Sequence, residues 1–505
     1  MNREIETPIV IERREPSKKY SLSLEEVKAR VEHAGEGTVI PIFRTLPSDL
    51  DTPFSAHLKL SRKPNFSPAF LLESVTGGES VGRYSYICID PKGGISVKDE
   101  NGERVDPLKM IEKDVSKTVL KYPGLPPFSG GYVGYLGYEV ISAFEEKVPK
   151  TNPNVLGVPE AMLFNFDNVV VFDHARNELK IIGNIDVGDL SDLDDKYRMV
   201  TSKIDEIADR MRTPITIKTK NVSVEPVVGN IRSNFTKEKY MDVVRKIKEY
   251  IEAGDVIQVV NSQRWARITN ADPLAIYSAL RRINPSPFMG YLDFGDFQII
   301  CASPELLLKV ENGEISTWPI AGTRPRGKTP EEDEQLAKEL IENEKERAEH
   351  IMLVDLGRND VGRISKPGTV KVPRLMEVER FSNVMHMTSE VNGTLSDDRT
   401  PLDALRSIFP AGTVSGAPKI RAMQIIDEVE KEQRGPYAGA LGYIDYSGNL
   451  EMAITIRTIV FKDKTAYIQA GGGIVYDSDP EAEYEETIAK SRGSLRAIDL
   501  AEQEY

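Results

Sequence analysis

The sequence predicts an α+β fold whose core is made of mainly antiparallel sheets. In the first half, short runs with strand-like alternation are separated by turns, as in "RYSYICID", "NVVVFD" and "ELKIIGNI". Strand-like runs continue in the second half, where the helical patterns are gathered in blocks. Strands mixed with blocks of helices favour the α+β class over a regular alternation of strand and helix.

The elements of the second half follow a polar stretch at residues 213–234, which is interrupted by proline and has no helical period. We place a lobe boundary there, giving an N-terminal lobe at 1–225 and a C-terminal lobe at 226–505. From residue 235, apolar residues at helical spacing predict an amphipathic helix that precedes a Gly-Asp turn and a strand. Further strands are predicted at "GYLDF", "QIICAS", "ELLLKVE" and "AYIQAGGG", and long helices at 331–357, 419–432 and 480–500.

Composition and charge disfavour several classes of partner and indicate the compartment of the protein. The 505 residues are 40% hydrophobic and 29% charged, as expected of a globular chain, and the net charge of −14 disfavours nucleic acid and anionic membrane as partners. We find no run of about 18 apolar residues, so we expect no membrane span. With Cys88 and Cys301 as the only cysteines and a charged first segment without a signal-peptide pattern, we expect a cytoplasmic protein.

The stretch "STWPIAGTRPRGK" at residues 316–328 has the composition of a phosphate-binding loop but not its spacing. Gly327, Lys328 and Thr329 lack the earlier glycine that a P-loop requires. The acidic "PEEDEQL" that follows would repel a phosphate at a helix start. A nucleotide phosphate is therefore disfavoured, and from the residues alone the ligand of this stretch, with Ala321 at its centre, stays open.

Two predicted helical stretches carry carboxylates three residues apart. "KERAEH" contains Glu346 and Glu349, and "DPEAEYEETIAK" contains Glu483 and Glu486. Oxygen ligands of this kind suit Mg²⁺, which takes one or two carboxylates together with waters and substrate oxygens. The alternative is that both acidic faces are simply solvated, and spacing alone leaves both interpretations open.

Glycine-rich elements could hold an anion. In "FPAGTVSGAPK", Thr413 and the glycines precede a helix start at Pro418, where free N–H groups favour a carboxylate. The triplet Gly471, Gly472 and Gly473 ends a predicted strand and could form a nest of N–H groups. Each could equally be a tight turn between packed elements. Arg457, predicted to lie mid-strand among apolar neighbours, would need an anionic partner.

Three further residues could take part in proton transfer, and each has a plainer alternative. They are Glu305 in "ASPELLL", His386 in "NVMHMTS" and Lys490 in "AKSRG". A histidine among methionine and valine is more often a hydrogen-bonded core residue than a catalyst. The residues alone do not decide between these roles.

Taken together, the segments resemble the chorismate-utilising enzymes. The resemblance rests on "PIAGTRPRG", "AEHIMLVDLGRNDVGRIS", "FPAGTVSGAPK", "GPYAGALGY", "AITIRT" and "AGGGIVYDSDPEAEYEET", in that order, with "LLES" and "GGYVGYLGYE" in the first half. The chain is most similar to the subfamily of anthranilate synthase component I. The resemblance implies an αββα sandwich of two large, mainly antiparallel sheets enclosed by helices, in agreement with the α+β prediction.

The resemblance also assigns roles to the candidate residues. It implies that Glu349 and Glu486 hold Mg²⁺ against the ring carboxylate of chorismate, with Glu346 and Glu483 in support. Glu305 matches the general acid that protonates the leaving hydroxyl, and His386 a residue of the pyruvate-elimination step. The implied substrate-binding residues are Gly471, Gly472, Gly473, Thr413 and Lys490 at the ring carboxylate, and Tyr437 and Arg457 at the enolpyruvyl carboxylate.

Two positions predict the nucleophile. Relatives that add water carry a lysine base where this chain has Gln258, and aminodeoxychorismate-forming relatives carry a nucleophilic lysine where it has Ala321. Neither residue can activate water or attack the ring, so the resemblance implies ammonia as the nucleophile, with anthranilate and pyruvate as products. The chain has no glutamine amidotransferase motif, so we expect a separate glutaminase subunit to supply the ammonia.

Other segments match the tryptophan feedback site of this subfamily. "LLES" contains Glu73 and Ser74, and "NPSPFMGY" contains Pro287, Phe288 and Met289. Glu73 could bind the α-ammonium of L-tryptophan, and Pro287 and Met289 could form an apolar wall for its indole. Without the resemblance, a turn and ordinary core packing would explain the same residues.

Three alternatives stay open at this point. An aminodeoxychorismate synthase component I is disfavoured by Ala321, and an isochorismate or salicylate synthase is disfavoured by Gln258. A non-catalytic, tryptophan-sensing subunit is disfavoured, because it would not need the complete set of candidate catalytic residues.

Overall fold

In a computed structural model of the chain, the described residues are 18–34, 37–61, 66–74, 82–98, 103–188, 190–215, 231–380 and 384–504. The predicted lobe boundary at residue 225 lies outside these ranges, as do the first seventeen residues, on which much of the signal-peptide argument rests. The lobe boundary and the absence of a signal peptide therefore stay predictions.

The first sheet has thirteen strands among the described residues. In sheet order, with strands numbered along the chain, they are β10 (Arg232–Ser233), β11 (Gln258–Ile268), β23 (Thr465–Ile474), β22 (Thr458–Lys462), β13 (Phe297–Ser303), β12 (Phe288–Asp293), β2 (Ala69–Glu73), β3 (Tyr84–Ile89), β8 (Asn168–Asp173), β9 (Glu178–Asp186), β1 (Thr38–Pro47) and β5 (Thr118–Val119), and β19 (Gly416–Ala417) pairs with β11. The β1–β5 pair is parallel, and the other pairs are antiparallel.

The second sheet has ten strands among the described residues, and its pairs are antiparallel. In sheet order they are β16 (Ile320–Pro325), β18 (Val384–Thr394), β15 (Glu314–Thr317), β14 (Leu306–Glu311), β21 (Leu450–Ile454), β20 (Ala440–Asp445), β6 (Gly131–Leu136), β7 (Ala161–Phe166) and β4 (Gly93–Val97), and β17 (Lys371–Arg380) pairs with β18.

Helices cover the outer faces of the two sheets. They are α1 (Leu24–Ala34), α2 (Pro53–Ser61), α3 (Pro107–Ile111), α4 (Ile141–Phe144), α5 (Leu193–Met211), α6 (Lys237–Glu252), α7 (Pro273–Ile283), α8 (Pro330–Glu342), α9 (Glu344–Gly362), α10 (Pro401–Ile408), α11 (Lys419–Val429) and α12 (Pro480–Glu504). Three short 3₁₀ turns, at Tyr138–Val140, Leu190–Asp192 and Gly412–Val414, complete the helical elements of the described residues.

Three large hydrophobic cores hold these layers together. The core between the sheets takes side chains from both, such as Phe70 on β2 and Leu441 on β20. A second core packs α5 and α7 on the outer face of the first sheet. A third core packs α10 against β14 of the second sheet and α11 against β11 of the first. The predicted α+β class and the sandwich of two mainly antiparallel sheets are confirmed.

Both sheets contain strands from either side of the predicted lobe boundary. In the first sheet β2 pairs with β12, so that Glu73 lies opposite Met289. In the second sheet β6 pairs with β20, so that Gly134 lies opposite Gly442. Strands that are more than 200 residues apart are therefore neighbours in both layers.

The single helix predicted at 331–357 is wrong, because α8 and α9 are separated at Asn343. This residue is extended, with φ −69° and ψ 112°, and its side chain accepts a hydrogen bond from the backbone N–H of Glu346. Asparagine is among the preferred N-cap residues, so it ends one helix and begins the next. The helix predicted at 419–432 ends earlier, at Val429.

None of the helices in the described ranges is long and apolar enough to cross a membrane.

Candidate active site

The floor of the candidate site is the antiparallel pair of β11 and β23. Asn261 lies opposite Gly472, and Ser262 opposite Gly471. The neighbouring strand β22 pairs with β23 only as far as Ile468, opposite Ile459. Beyond Ile468, β22 therefore no longer covers the edge of β23 that faces away from β11.

The glycine triplet lies inside β23, so the predicted strand-end nest is not formed. The Ser262 N–H donates to Glu430 and the Val260 N–H donates to the Ser415 carbonyl. The backbone N–H groups of these two residues are therefore directed away from β23. Their partners Gly471 and Gly473 consequently direct their own peptide groups to the open edge. There the Lys490 ammonium donates to the Gly471 carbonyl at 2.9 Å.

Glycine is needed here because carboxylates approach the strand closely. A Cβ at Gly472 would lie 2.9 Å from Oε2 of Glu483 and 3.6 Å from Oε1 of Glu486. A Cβ at Gly473 would lie 2.5 Å from Nε2 of Gln258 and 3.5 Å from Oε1 of Glu349. The absent side chains leave room for groups from β11, α9 and α12 around one short piece of strand.

The carboxylates of α9 interact with one another and with neighbouring donors. The Gln258 side chain donates to Oε1 of Glu349 at 2.9 Å, and Glu346 forms an ion pair with Arg324 at 3.0 Å. Burial raises the pKa of Glu349, and the charges of Glu346 and Glu486 add to this increase. The structure thus brings the predicted pair on α9 near Glu486.

The carboxylates of α12 have partners of their own. Glu483 is buried and accepts a hydrogen bond from the Ser478 hydroxyl at 2.6 Å. Glu486 forms an ion pair with Lys490 at 2.6 Å. The described part of the chain contains no cluster of three or more acidic, histidine or cysteine side chains with metal-site geometry. A metal here would therefore rest on two carboxylates, with the remaining ligands from water and substrate.

Two observations indicate that the residues present fit a divalent cation. Burial raises the pKa of Glu349 and the charges of Glu346 and Glu486 raise it further, and a cation between Glu349 and Glu486 would relieve this repulsion. The glycine cradle leaves space beside both carboxylates that a Cβ would fill. Carboxylate oxygens are also the ligands that Mg²⁺ prefers.

The prediction that Arg457 lies in the middle of a strand is wrong. Arg457 lies in the tight connection between β21 and β22, with a φ of 52°. Its guanidinium donates to the Lys490 carbonyl at 2.9 Å. Burial lowers the pKa of Arg457, while Tyr437 and Glu486 oppose this effect. An anionic ligand beside Arg457 would offset the cost of burying its charge.

Tyr437 lies against the face of the glycine strand that Gly471 and Gly473 share, which is also the face near Glu349. Glu483 and Glu486 approach the opposite face, at Gly472. The Tyr437 hydroxyl would be 2.9 Å from a Cβ at Gly471. Tyr437 is buried, and the desolvation raises the pKa of its phenol to about 12. It is therefore a hydrogen-bond donor at neutral pH.

Glu305 lies just before β14 and is buried, with 5% of its surface exposed. Burial raises the pKa of Glu305 to about 8, against the opposing effects of the Thr413 hydroxyl, the Ile320 N–H and the Lys490 charge. Glu305 and Thr413 line one small cavity. The carboxyl is therefore protonated at neutral pH and able to donate.

Thr413 belongs to the 3₁₀ turn at Gly412–Val414 and is separated from the start of α11 by β19. The first residue before α11, Pro418, makes no side-chain cap. Thr413 therefore faces Glu305 rather than forming part of the helix start that the sequence predicted as an anion site.

His386 is buried on β18, opposite Thr323 of β16. Its Nδ1 lies 3.1 Å from the Gly322 carbonyl, which can only accept, so we assign the ring proton to Nδ1. Burial lowers the pKa of His386 to about 4, and the charges of Arg457 and Lys490 lower it further. The imidazole is therefore neutral at pH 7, and Nε2 is the basic nitrogen.

Ala321 lies on β16 opposite Met387, one residue before a bulge at Gly322, which has a φ of 68°. A Cβ at Gly322 would lie 3.0 Å from Oε2 of Glu346. "STWPIAGTRPRGK" therefore contains a bulged strand beside the acidic helix α9 and not a phosphate loop.

Sequence reasoning missed two ion pairs that support the site. Arg324 pairs with Glu346, and the fully buried Arg434 pairs with Glu430 beneath β11. The spacing of four residues between Glu430 and Arg434 could have indicated this ion pair in the sequence, but charged pairs at that spacing are common on exposed helices.

The residues predicted for tryptophan binding lie together on the wall of a large cleft. The cleft has a volume of about 1160 Å³ and is lined by Glu73, Ser74, Pro287, Phe288 and Met289, among others. The ring of Phe288 lies 6.5 Å from that of Trp318. The cleft is large enough for an amino acid with an aromatic side chain.

Glu73 already has partners on α7. Its two oxygens accept from Arg281 at 2.9 Å and from the Tyr277 hydroxyl at 2.5 Å. Burial raises the pKa of Glu73, and Arg281 and Tyr277 oppose that shift. An ionised carboxylate has further lone pairs, so these contacts leave acceptor capacity for a ligand ammonium.

Comparison with known proteins agrees with this geometry. Residues 67–496 match the family described as chorismate binding enzyme, and this range includes every candidate site residue. The chain therefore belongs to the chorismate binding enzyme family.

Its relatives within the family are similar over almost the whole chain. Anthranilate synthase component 1 of Aquifex aeolicus (strain VF5) is 45% identical over 496 residues, which cover 96% of this chain and 99% of that protein. The protein of the same name from Acetivibrio thermocellus is 46% identical over 499 residues, covering 95% of this chain and 98% of that protein. The crystal structure of anthranilate synthase component I from Streptococcus pneumoniae TIGR4 aligns with a TM-score of 0.73 and 37% identity, over 89% of this chain and 99% of that one.

The raised pKa of Glu305 predicts a pH dependence of stability. The pKa of this carboxyl is about 8 in the folded chain and 4.5 without the fold, so between these pH values the unfolded chain has lost a proton that the folded chain keeps. Stability therefore falls as the pH rises through this window. We expect calorimetry to show the Tm of the wild type falling, relative to Glu305→Gln, by on the order of a few degrees between about pH 5 and pH 8.

A Glu→Gln change at the exposed Glu314 is the matched control and should run parallel to the wild type across the same pH range. Parallel curves for Glu305→Gln and the wild type would show that Glu305 ionises normally in the folded chain.

Proposed function

We propose that the chain is the large subunit of an anthranilate synthase, which converts chorismate and ammonia into anthranilate and pyruvate. This reaction begins the synthesis of tryptophan. The observation that carries the proposal is the convergence of carboxylates from α9 and α12 on the glycines of β23, beside a glutamine where a base for water would stand. Similarity to anthranilate synthase component 1 proteins over almost the whole chain supports it.

The buried acid and the buried imidazole supply proton transfers. Glu305, neutral because of burial, donates a proton to the hydroxyl that leaves the chorismate ring. His386, neutral with its proton on Nδ1, takes a proton at Nε2 in the elimination of pyruvate.

Two sets of donors bind the carboxylates of chorismate. Arg457 and Tyr437 hold the enolpyruvyl carboxylate, which offsets the burial of the Arg457 charge. The N–H groups of Gly471 and Gly473 on the open edge of β23, with Thr413 and Lys490, hold the ring carboxylate. Glu349 and Glu486 would hold Mg²⁺ at this carboxylate, with Glu346 and Glu483 in support. When bound, the ion acts as a Lewis acid that withdraws electron density from the ring.

Gln258 and Ala321 favour ammonia as the nucleophile. The carboxamide of Gln258 cannot take a proton from water, and it is held by its hydrogen bond to Glu349. The methyl group of Ala321 on β16 cannot attack the ring. Neutral ammonia needs no base to become nucleophilic, so it suits a site built in this way.

A separate glutaminase subunit would deliver the ammonia. Both cysteines, Cys88 and Cys301, are buried, and burial raises the pKa of the Cys301 thiol to about 11, which makes it a poor nucleophile for glutamine hydrolysis. Free, buried thiols also agree with a reducing compartment, and we place the protein in the cytoplasm.

L-Tryptophan would inhibit the enzyme from the large cleft that is lined in part by residues of β2 and β12. Pro287 and Met289 provide apolar contact for the indole, and Glu73 and Ser74 provide polar contact for the amino acid. A ligand that binds one conformation of the two sheets more tightly than another would shift their equilibrium.

The first test is the reaction itself. With chorismate, Mg²⁺ and ammonium at alkaline pH, the purified chain should form anthranilate, detected by its fluorescence, and glutamine should not replace ammonium. Formation of isochorismate or an aminodeoxychorismate as the final product would contradict the proposed reaction. Glutamine hydrolysis by the chain alone would contradict the separate glutaminase.

Metal binding is tested by calorimetry. Glu349→Gln and Glu486→Gln each remove a charge from the proposed pair, and we expect Mg²⁺ binding to weaken by about tenfold or more. Glu481→Gln, on the exposed first turn of the same helix as Glu486, is the control and should bind Mg²⁺ as the wild type does. Equal affinities for all variants would remove Mg²⁺ from this site.

Tryptophan inhibition is tested in the cleft. Met289→Thr reduces apolar contact with the indole and Ser74→Arg fills space, so we expect the tryptophan concentration for half-inhibition to rise about tenfold with either change. Met199→Thr, at an exposed position on α5, should leave inhibition unchanged. Undiminished inhibition of the two cleft variants would place tryptophan elsewhere.

A further inference from the structure

We propose that Arg434 is a positioning residue for the chorismate site, where it fixes the ring of Tyr437, the turn that carries Thr413 and the strand that carries Gln258. Arg434 follows α11 in "KEQRGPY" and touches no proposed reacting group itself. It is among the largest side chains that are fully buried, with 1% of its surface exposed. The inference rests on the proposed function, since it concerns how that site is held.

The guanidinium is held in place by one carboxylate. Its Nε donates to Oε2 of Glu430 at 2.8 Å, and an NH2 hydrogen donates to Oε1 at 2.6 Å. This two-point geometry fits the planar guanidinium and could not be made by a lysine. The ion pair neutralises a charge that would otherwise be costly to bury.

The remaining donors of Arg434 reach two other segments of the site. NH1 donates to the Val414 carbonyl and NH2 to the Val260 carbonyl, each at 2.7 Å. Val414 follows Thr413 in the 3₁₀ turn, and Val260 lies on β11 opposite Gly473. Four of the five N–H donors of Arg434 are therefore used, and two of them fix backbone beside proposed substrate-binding residues.

Glu430 extends the same link along β11. Its Oε1 accepts from both the backbone N–H and the hydroxyl of Ser262, at 2.8 and 2.9 Å. Ser262 lies opposite Gly471, the glycine next to the Tyr437 hydroxyl. The ion pair thus fixes β11 at Val260 and at Ser262, on either side of Asn261.

The guanidinium also lies against two aromatic rings. It is 5.6 Å from the ring centre of Tyr437 and 4.6 Å from that of Tyr138. A cation near the ring face is attracted to it, so Arg434 restricts where the Tyr437 ring can lie. Tyr437 is three residues further along the chain, in the loop that Arg434 begins.

The backbone of this loop is held from the first half of the chain. The buried Glu139 accepts hydrogen bonds from the N–H of Arg434 at 2.7 Å and from that of Gly435 at 3.0 Å. Gly435 has a φ of 63°, so the loop turns sharply at this point. The approach to Tyr437 is therefore fixed through both the side chain and the backbone of Arg434.

These contacts predict an effect on substrate binding that exceeds the effect on stability. Removing the fork of donors frees Tyr437 and the 413–415 turn together, and displacements of about 1 Å in a site can cost up to about 100-fold in rate. Because Tyr437 is proposed to hold the enolpyruvyl carboxylate, the loss should appear mainly in the KM for chorismate.

The test compares Arg434→Lys with Arg264→Lys. Arg264 is also a buried arginine, on β11, and it bonds the same segment through the Gln433 carbonyl at 3.0 Å and through Glu432. These side-chain hydrogen bonds of Arg264 do not reach Tyr437, Val414 or Val260. We expect Arg434→Lys to raise the KM for chorismate about tenfold with a smaller change in kcat, and Arg264→Lys to change KM less than about twofold.

Hydrogen exchange and a second variant complete the test. Amides at 413–415 and 437–438 should exchange faster in Arg434→Lys and not in Arg264→Lys. If Arg434→Lys fails to fold, Glu430→Gln, which keeps the side-chain volume, should raise KM in the same direction. An unchanged KM, or an equal increase for Arg264→Lys, would overturn the positioning role while anthranilate formation by the wild type still supports the proposed function. A wild-type chain that forms no anthranilate would overturn both.

Discussion

The site depends on how closely two helices can approach one strand. Residues 471–473 carry no side chains, so α9 and α12 bring their carboxylates to within a few ångströms of the β23 backbone. The register with β11 then decides which polar side chain meets them, because Gln258 reaches Glu349 across the position that a Cβ of Gly473 would occupy. A substituted strand would hold the same elements further apart.

Burial sorts the ionisable groups of the site into neutral and charged sets. Glu305 and His386 are both deeply buried and both neutral at pH 7, one because its pKa is raised to about 8 and the other because its pKa is lowered to about 4. Lys490 and Glu486 are more exposed and form an ion pair. A proton donor and a proton acceptor can therefore coexist a short distance from permanent charges, since each is set by its own degree of desolvation.

Alternating and helical hydrophobic patterns predicted the α+β class and most of the elements, because these patterns survive in the sheets and helices. The sandwich of two sheets was implied by the resemblance to chorismate-utilising enzymes. The sequence did not predict the break at Asn343, which depends on a local N-cap, or the position of Arg457, where apolar runs on both sides concealed a tight connection. The candidate site residues came mainly from resemblance. Arg434 was missed because its burial is created by Val260, Val414 and Glu430, which only the fold brings together.

The pairing of β2 with β12 and of β6 with β20 has a consequence for biosynthesis. When the first 225 residues have left the ribosome, both of these strands have an unpaired edge, because their partners lie at residues 288–293 and 440–445. Exposed strand edges are templates for association with other chains. The nascent protein must therefore keep two open edges protected until most of its length has been translated, and a fragment ending near the predicted boundary would be prone to aggregation.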